Sequence, residues 1–439
     1  MSETVGLVVS GAGARGAYEA GAIASLLPHL PRSERPPILV GTSAGALNVV
    51  GLAAFAGDGY KSATHKIVSL WSTVGLDDVF GPVGTLVGTG LRYLGQAAGL
   101  DVTLPSLLDT ERMRDLLTSL ICWEDLHANI RSGAIGAVAV TATSVATRGT
   151  VVFVEKHPSV PLPDYDEQRN ITYVETELSV EHVLASAAVP VLFRPVRVTE
   201  PAAWAGWYVD GGLQLNTPLK PALALGADTL GVVATQPRHW IEQPAADLAP
   251  GDDEPPDVFG AAALVLRAVL SDRMIEDLHQ LEVRNDRLMR IRAAGVDSAD
   301  VTSDREIEVR FAGPSLEQAY DLGRLAYDIY SEKGAGVGGL RHPWLSVLGR
   351  LVGGTREDHG DLLSFLLFDP DFTSAAAELG LAAQAPNRRS STYASPARTN
   401  TSCSAPTRSP AARVSSSAYR VSWVQYASSV SCVTATSVL

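Results

Sequence analysis

Short, unbroken apolar runs alternate with longer stretches of helical spacing over the first half of the chain. That is the pattern of a sheet whose strands are covered on both faces. Gly6 to Ser10 (GLVVS) predicts one buried strand and Ile38-Leu39-Val40 a second. A helix follows each, the first from about Ala17 to Leu27 and the other through about Phe55. Ala134 to Thr143 and Thr150 to Glu155 predict a strand pair turned at Arg148-Gly149. Trp207 to Val209 predicts a short strand ending at Asp210-Gly211-Gly212. Pro218 opens a helix that Gly226 closes, and Thr229 to Ala234 predicts a further buried strand. Beyond it, Val258 to Ala294 has helical spacing and Glu306 to Phe311 alternates like a half-buried strand. Leu316 to Lys333 and Asp361 to Leu381 predict closing helices. Two stretches fit neither period. Gly81 to Gly99 reads as a mobile lid or a plain surface loop, and the Pro- and Asp-rich Trp240 to Asp257 as a surface loop.

From about Pro386 onward the periodic pattern disappears and Ser, Thr, Ala and Arg dominate. Such a segment cannot bury enough surface to offset its ordering entropy, so residues 386–439 are expected to be disordered. The chain of 439 residues is 46% hydrophobic and 19% charged, which is enough for a sizeable core. Its net charge of −13 argues against a nucleic-acid surface. After Glu378, however, there is no acid, and Arg388, Arg389, Arg398, Arg408, Arg413 and Arg420 leave the tail basic. Contact with an acidic lipid surface is the one function that chemistry suggests for the tail. Cys122, Cys403 and Cys432 are too scattered for a disulfide framework or a paired-Cys metal site. Cys122 reads as a buried structural residue. The N-terminus lacks a basic, apolar leader, and no run reaches the roughly 18 apolar residues that span a bilayer. The expectation is a cytoplasmic protein, with peripheral membrane association left open.

Three short motifs change this picture from fold to chemistry. Gly41-Thr42-Ser43-Ala44-Gly45 follows a predicted strand and precedes a helix. A nucleophilic serine at that junction sits on a strained turn that needs small neighbours, and the helix N-terminus behind it favours developing negative charge. Gly11-Ala12-Gly13-Ala14-Arg15-Gly16 also lies between strand and helix, where backbone N–H groups approach an anion. A dinucleotide cradle would want an acid at the end of the second strand. That strand runs into the Ser43 turn instead, which favours an oxyanion hole. Asp210-Gly211-Gly212 puts a carboxylate between a strand end and small neighbours. The serine needs a base: either Asp210, its pKa raised by desolvation, or one of His239, His279, His342 and His359 in a triad.

Together and in this order, the three motifs resemble the patatin-like phospholipase family over roughly Val5 to Ala234. Residues 11–16 are similar to the family's oxyanion-hole motif, with Ala12 where many members have the middle of three glycines. Gly41 to Gly45 resembles its nucleophile elbow, and Asp210-Gly211-Gly212 its Asp-Gly-Ala/Gly motif. Ala185 to Phe193 (ASAAVPVLF) is similar to the family's pattern as well, with Pro190 and Phe193 expected to shape the substrate channel. The resemblance implies a three-layer α/β/α fold and a Ser43–Asp210 dyad working through an acyl-enzyme, with no metal and no cofactor. Lipid esters at a membrane surface would be the substrates. The implied organisation is a catalytic domain at 5–235, a helical extension packing on it at 236–385, and the tail. Arg15 fits either an anionic headgroup or a structural salt bridge. A non-catalytic lipid-binding protein on the same fold is the alternative.

Overall fold

The apolar runs pair into one mixed, mostly parallel sheet with helices on both faces. The computed structural model describes residues 3–33, 35–76, 79, 111–190, 192–238, 274–295, 305–334 and 360–383. Gly81 to Gly99, Trp240 to Asp257, His239, His342, His359 and the tail lie outside the described residues. So does the first part of the 258–294 pattern.

Among the described residues the sheet has nine strands. They are β1 (Val5–Val9), β2 (Ile38–Thr42), β3 (Ala137–Ser144), β4 (Thr150–Lys156), β5 (Ile171–Glu175), β6 (Val196–Val198), β7 (Gly206–Asp210), β8 (Thr229–Val233) and β9 (Glu308–Ala312). The main path runs β5-β4-β3-β2-β1-β8-β9, and β7 pairs with both β3 and β6. Strands β9, β8, β1, β2 and β3 are mutually parallel, while β4 and β7 run antiparallel to β3.

Alternation along the strands divides the core into two layers. Leu7, Val9, Leu39 and Val138 point to one face, and Val8, Ile38, Val40 and Ala139 to the other. On the first face pack α1 (Gly16–Leu26), α2 (Ala44–Ala54), α3 (Tyr60–Thr73), α4 (Glu111–Leu120), α5 (Trp123–Arg131) and α6 (Val180–Ser186). The second face is covered by α7 (Leu219–Ala224) and α8 (Met274–Ala293). Both faces of β1 and β2 are therefore dry, which is why those strands read as continuous apolar runs.

The chain after residue 236 contributes to the sheet as well as to its cover. β9 extends the parallel edge beyond β8. Then come α9 (Leu316–Gly334), α10 (Gly360–Leu366) and α11 (Pro370–Leu381), whose apolar residues join the first-face core. The single helix expected over 361–381 is thus two. Pro370 biases the residue before it away from helix, and Asp369 is extended and caps α11 by accepting from Asp371 N–H. Cys122 is half-buried rather than buried, at the start of α5. Among the described residues no helix is long and apolar enough to cross a membrane.

Candidate active site

β2 ends where β7 arrives. On one edge of β3, Thr42 pairs with Thr141, and at the next position Asp210 pairs with Ala142. The other edge of β3 is occupied by β4. The two strands approach head-on along a shared edge and bring Ser43 and Asp210 together, although a long stretch of sequence separates them.

Ser43 has φ 53° and ψ −121°, the strained dihedrals of a nucleophile held on a sharp turn. The turn is tight enough that a Cβ on Gly41 would lie 2.4 Å from the Gly45 carbonyl oxygen. Thr42 Oγ1 anchors the strand end, donating to Leu215 O at 3.0 Å and lying 2.6 Å from Thr141 Oγ1. The C-terminal end of α6 holds both partners by their backbones. Ser43 N–H donates to Ser186 Oγ at 2.8 Å, and Asp210 N–H to Ala188 O at 2.9 Å. Ser186 is a site residue that sequence reasoning did not single out, although it lies inside the 185–193 pattern.

Asp210 is 3% exposed. Its Oδ1 accepts from Gly212 N–H at 2.6 Å, and its buried Oδ2 has no hydrogen-bond partner among the described residues. Burial raises the pKa from 3.8 to about 7, against the smaller opposing pulls of the Gly212 N–H and the Ser43 hydroxyl. The Ser43 hydroxyl is thus close enough to act on the carboxyl as a hydrogen-bond donor, although Oδ2 has no bond within ordinary geometry among the described residues. Long catalytic hydrogen bonds are common in unliganded sites.

The 11–16 loop is narrower as an anion cradle than its sequence suggests. Gly11 N–H is used by Asn216 O, Arg15 N–H by Ala12 O, and Gly16 N–H by the Gly13 and Ala14 carbonyls. That leaves the N–H groups of Ala12, Gly13 and Ala14 without partners among the described residues. Ala44 N–H, in the first turn of α2 beside Ser43, is a further donor without a partner among the described residues, in line with the helix N-terminus expected behind the serine. Ala12 has φ −145°, a conformation open to any residue, so it replaces glycine there without strain. Gly13 is different. It has φ +53°, and a Cβ there would lie 2.2 Å from Phe365 O of α10. Asn216 pins the loop from the other side, donating from Nδ2 to Gly11 O at 3.2 Å.

Arg15 does not face a headgroup. It is 2% exposed and turned into the core. Its Nε donates to Ser364 Oγ at 2.6 Å, its Nη2 reaches Asp361 Oδ1 at 2.5 Å, and the guanidinium lies 4.1 Å from the centre of the Phe365 ring. The structural salt bridge is the alternative that holds, and it ties the loop to α10. Next to it a buried network braces α1 and α2. Ser10 Oγ donates to Glu19 at 2.7 Å, Asn48 Nδ2 to Gly16 O at 3.0 Å, and Trp71 Nε1 to Asn48 Oδ1 at 2.7 Å.

Ser43, Gly13 and Ala44 open onto a cavity whose described walls are almost wholly apolar. Ile67 and Trp71 of α3, Met113 and Leu117 of α4, Val189, Leu192 and Phe193, and Phe365, Leu366 and Phe368 line it. Of the two residues expected to shape a substrate channel, Phe193 borders this cavity and Pro190 does not. No histidine among the described residues lines the cavity. His279 is exposed on α8, and His182 is a capping residue whose Nε2 bonds Glu200 O. No group of three or more His, Cys, Asp or Glu among the described residues is arranged to hold a metal.

Residues 7–223 match the family model described as patatin-like phospholipase. No curated protein matches the chain. A solved structure, VipD from Legionella pneumophila, aligns over 72% of this chain at 15% identity with a TM-score of 0.27, a likeness too distant to argue from. The chain spans 62% of that protein's length. Through residues 7–223, this chain belongs to the patatin-like phospholipase family.

Proposed function

We propose that the chain is a serine-dependent lipid acyl hydrolase with a Ser43–Asp210 dyad. Family membership implies lipid acyl hydrolysis. The observation that supports the dyad is a buried carboxylate with a pKa of about 7 and one free oxygen, beside a serine on a strained turn. An ordinary aspartate is a poor base near neutrality, and burial removes that handicap.

Ser43 Oγ attacks the ester carbonyl while its proton passes to Asp210 Oδ2. N–H groups of Gly13, Ala14 and Ala44 stabilise the oxyanion, a contribution of about 3 kcal/mol for each well-aimed donor. Collapse expels the alcohol, which takes the proton from Asp210, and leaves an acyl-Ser43 ester. Water then gives its proton to Asp210 and attacks that ester. Collapse expels Ser43 Oγ, which takes that proton back from Asp210, and the fatty acid leaves. The apolar walls receive the acyl chain and exclude water, which keeps Asp210 desolvated. In this reading residues 5–235 form the catalytic domain, and segment 236–385 completes the cavity wall through α10.

The test is release of fatty acid from phospholipid and neutral ester by wild type, Ser43→Ala and Asp210→Asn. Both variants lose nearly all turnover, and wild type is modified by a fluorophosphonate while Asp210→Asn reacts far more slowly and Ser43→Ala not at all. Retained hydrolysis in either variant rules out the dyad. Single replacement of His239, His279, His342 and His359 leaves activity intact. Loss in one of them, with folding preserved, would favour the triad. Failure of wild type to hydrolyse any ester or take the probe would favour the lipid-binding alternative.

A further inference from the structure

The β6–β7 hairpin is two-faced. Val196, Val198 and Tyr208 are buried in the core on the α6 side. Their neighbours point the other way, and Arg197 and Trp207 are direct cross-strand partners on that outer face. Val145, just past β3, donates its N–H to Trp207 O at 3.0 Å and continues the row. Trp207 is 52% exposed and Val145 50%.

Single exposed apolar residues need no explanation, but an exposed tryptophan and valine in one backbone-paired row, with an arginine directly across the strand, do. Arg148 in the β3–β4 turn, Arg194 just before β6, and Arg197 are all exposed, and none forms an ion pair among the described residues. By contrast Lys156, Arg169 and Lys220 are each paired with a carboxylate. In a chain of net charge −13, three exposed arginines in the hairpin and the adjoining β3–β4 turn run against the overall sign.

The position matters as much as the charge. Arg194 directly follows Phe193, which lines the cavity of Ser43. Because β6 and β7 are antiparallel, Arg194 lies at the end of the hairpin where β7 delivers Asp210. Trp207 is three residues from Asp210, about 10 Å along the strand. Tryptophan settles at the level of lipid headgroups, and arginine pairs with their phosphates.

We infer that this face, built on Val145, Trp207, Arg148, Arg194 and Arg197, docks the chain onto an anionic phospholipid bilayer. The inference rests on the hydrolase reading and adds to it the surface through which substrate is approached. Docking selects membranes carrying net negative charge. It needs no change of conformation, since the row is held by backbone pairing.

The experiment separates binding from turnover. Full-length Ser43→Ala chain is sedimented with phosphatidylcholine vesicles and with vesicles containing a quarter phosphatidylglycerol, at low and at high salt. Binding to the anionic vesicles that weakens with salt is expected. Adding Arg194→Gln and Arg197→Gln lowers that partitioning by about 10- to 30-fold at low salt. Adding Trp207→Ala instead lowers it on both vesicle types. Absence of binding to anionic vesicles overturns the proposal. So does equal binding by the substituted chains, including the case where the arginines after Pro386 carry it, or where the face instead docks another protein. In the chain with Ser43 intact, the same hairpin substitutions leave hydrolysis of a soluble short-chain ester unchanged. If that chain hydrolyses no ester at all, the hydrolase reading fails while the vesicle result stands on its own.

Discussion

Replacing Asp210 with Asn is expected to stabilise the folded chain above neutral pH while abolishing turnover. In the folded state burial raises this carboxyl from 3.8 to about 7, which corresponds to roughly 4 kcal/mol. The sign follows from proton counting. Between about pH 4 and 7 the folded chain keeps a proton that the unfolded chain has released. This group's contribution to stability is therefore fully present below about pH 4, falls by roughly 1.4 kcal/mol per pH unit, and is gone above about 7. Asn mimics the protonated carboxyl, with Oδ1 still accepting from Gly212 N–H, and has no charge to bury. Urea unfolding followed by circular dichroism from pH 5 to pH 8 isolates the effect, since all other titrations cancel between the two chains. The advantage of Asp210→Asn grows by about 2–3 kcal/mol over that range. A stability difference that stays flat with pH would refute the desolvation argument. In the proposed dyad the same ionisation governs catalysis, because only the carboxylate accepts the Ser43 proton. Wild-type kcat/KM rises about tenfold per pH unit below about 7 and then levels. An inflection near 4 would be equally damaging.

Ser186→Ala leaves the buried Ser43 N–H without an acceptor. It costs about 1–2 kcal/mol in thermal unfolding, and kcat falls more than KM rises. Gly13→Ala forces an alanine to φ +53° with its Cβ against Phe365 O, and displaces the N–H aimed at the oxyanion. Turnover drops by about 100-fold in an ester assay, with KM little changed. Asp361→Ala removes the half-exposed partner of the buried Arg15 guanidinium. A loss of about 1–2 kcal/mol is expected in chemical denaturation, short of the figure for a fully buried pair. An accompanying fall in kcat at constant KM would show that α10 positions the 11–16 loop. Unchanged kcat would confine Arg15 to stability.

What the sequence made legible was local. A strand, a glycine-flanked serine and a helix lie within one short stretch, so the Ser43 turn could be read from its neighbours alone. β1, β2 and β8 were equally plain, because strands covered on both faces need no partner to be recognised. Helix α3 was passed over although its buried positions, Ala63, Thr64, Ile67 and Trp71, keep helical spacing. Polar residues between them masked it. The long-range features had no local signal. Nothing near Ser186 indicates that its hydroxyl accepts from Ser43 N–H, and nothing near Asp361 or Ser364 indicates that α10 closes on Arg15. Likewise the N–H groups of Gly11, Arg15 and Gly16 looked available until Asn216, Ala12, Gly13 and Ala14 were seen to use them.

The meeting of β2 and β7 on one edge of β3 makes catalysis a reporter of register. The proposed nucleophile and base are referenced to adjacent rungs of a single strand, so insertions elsewhere between them leave their gap unaltered. A one-residue slip of β7 has the opposite effect, turning Asp210 to the other face of the sheet, away from Ser43. Intermediate activity is therefore not available to a slipped sheet. During refolding, hydrolysis is expected to return with the final pairing of β7, after collapse and helix formation are complete, and all at once.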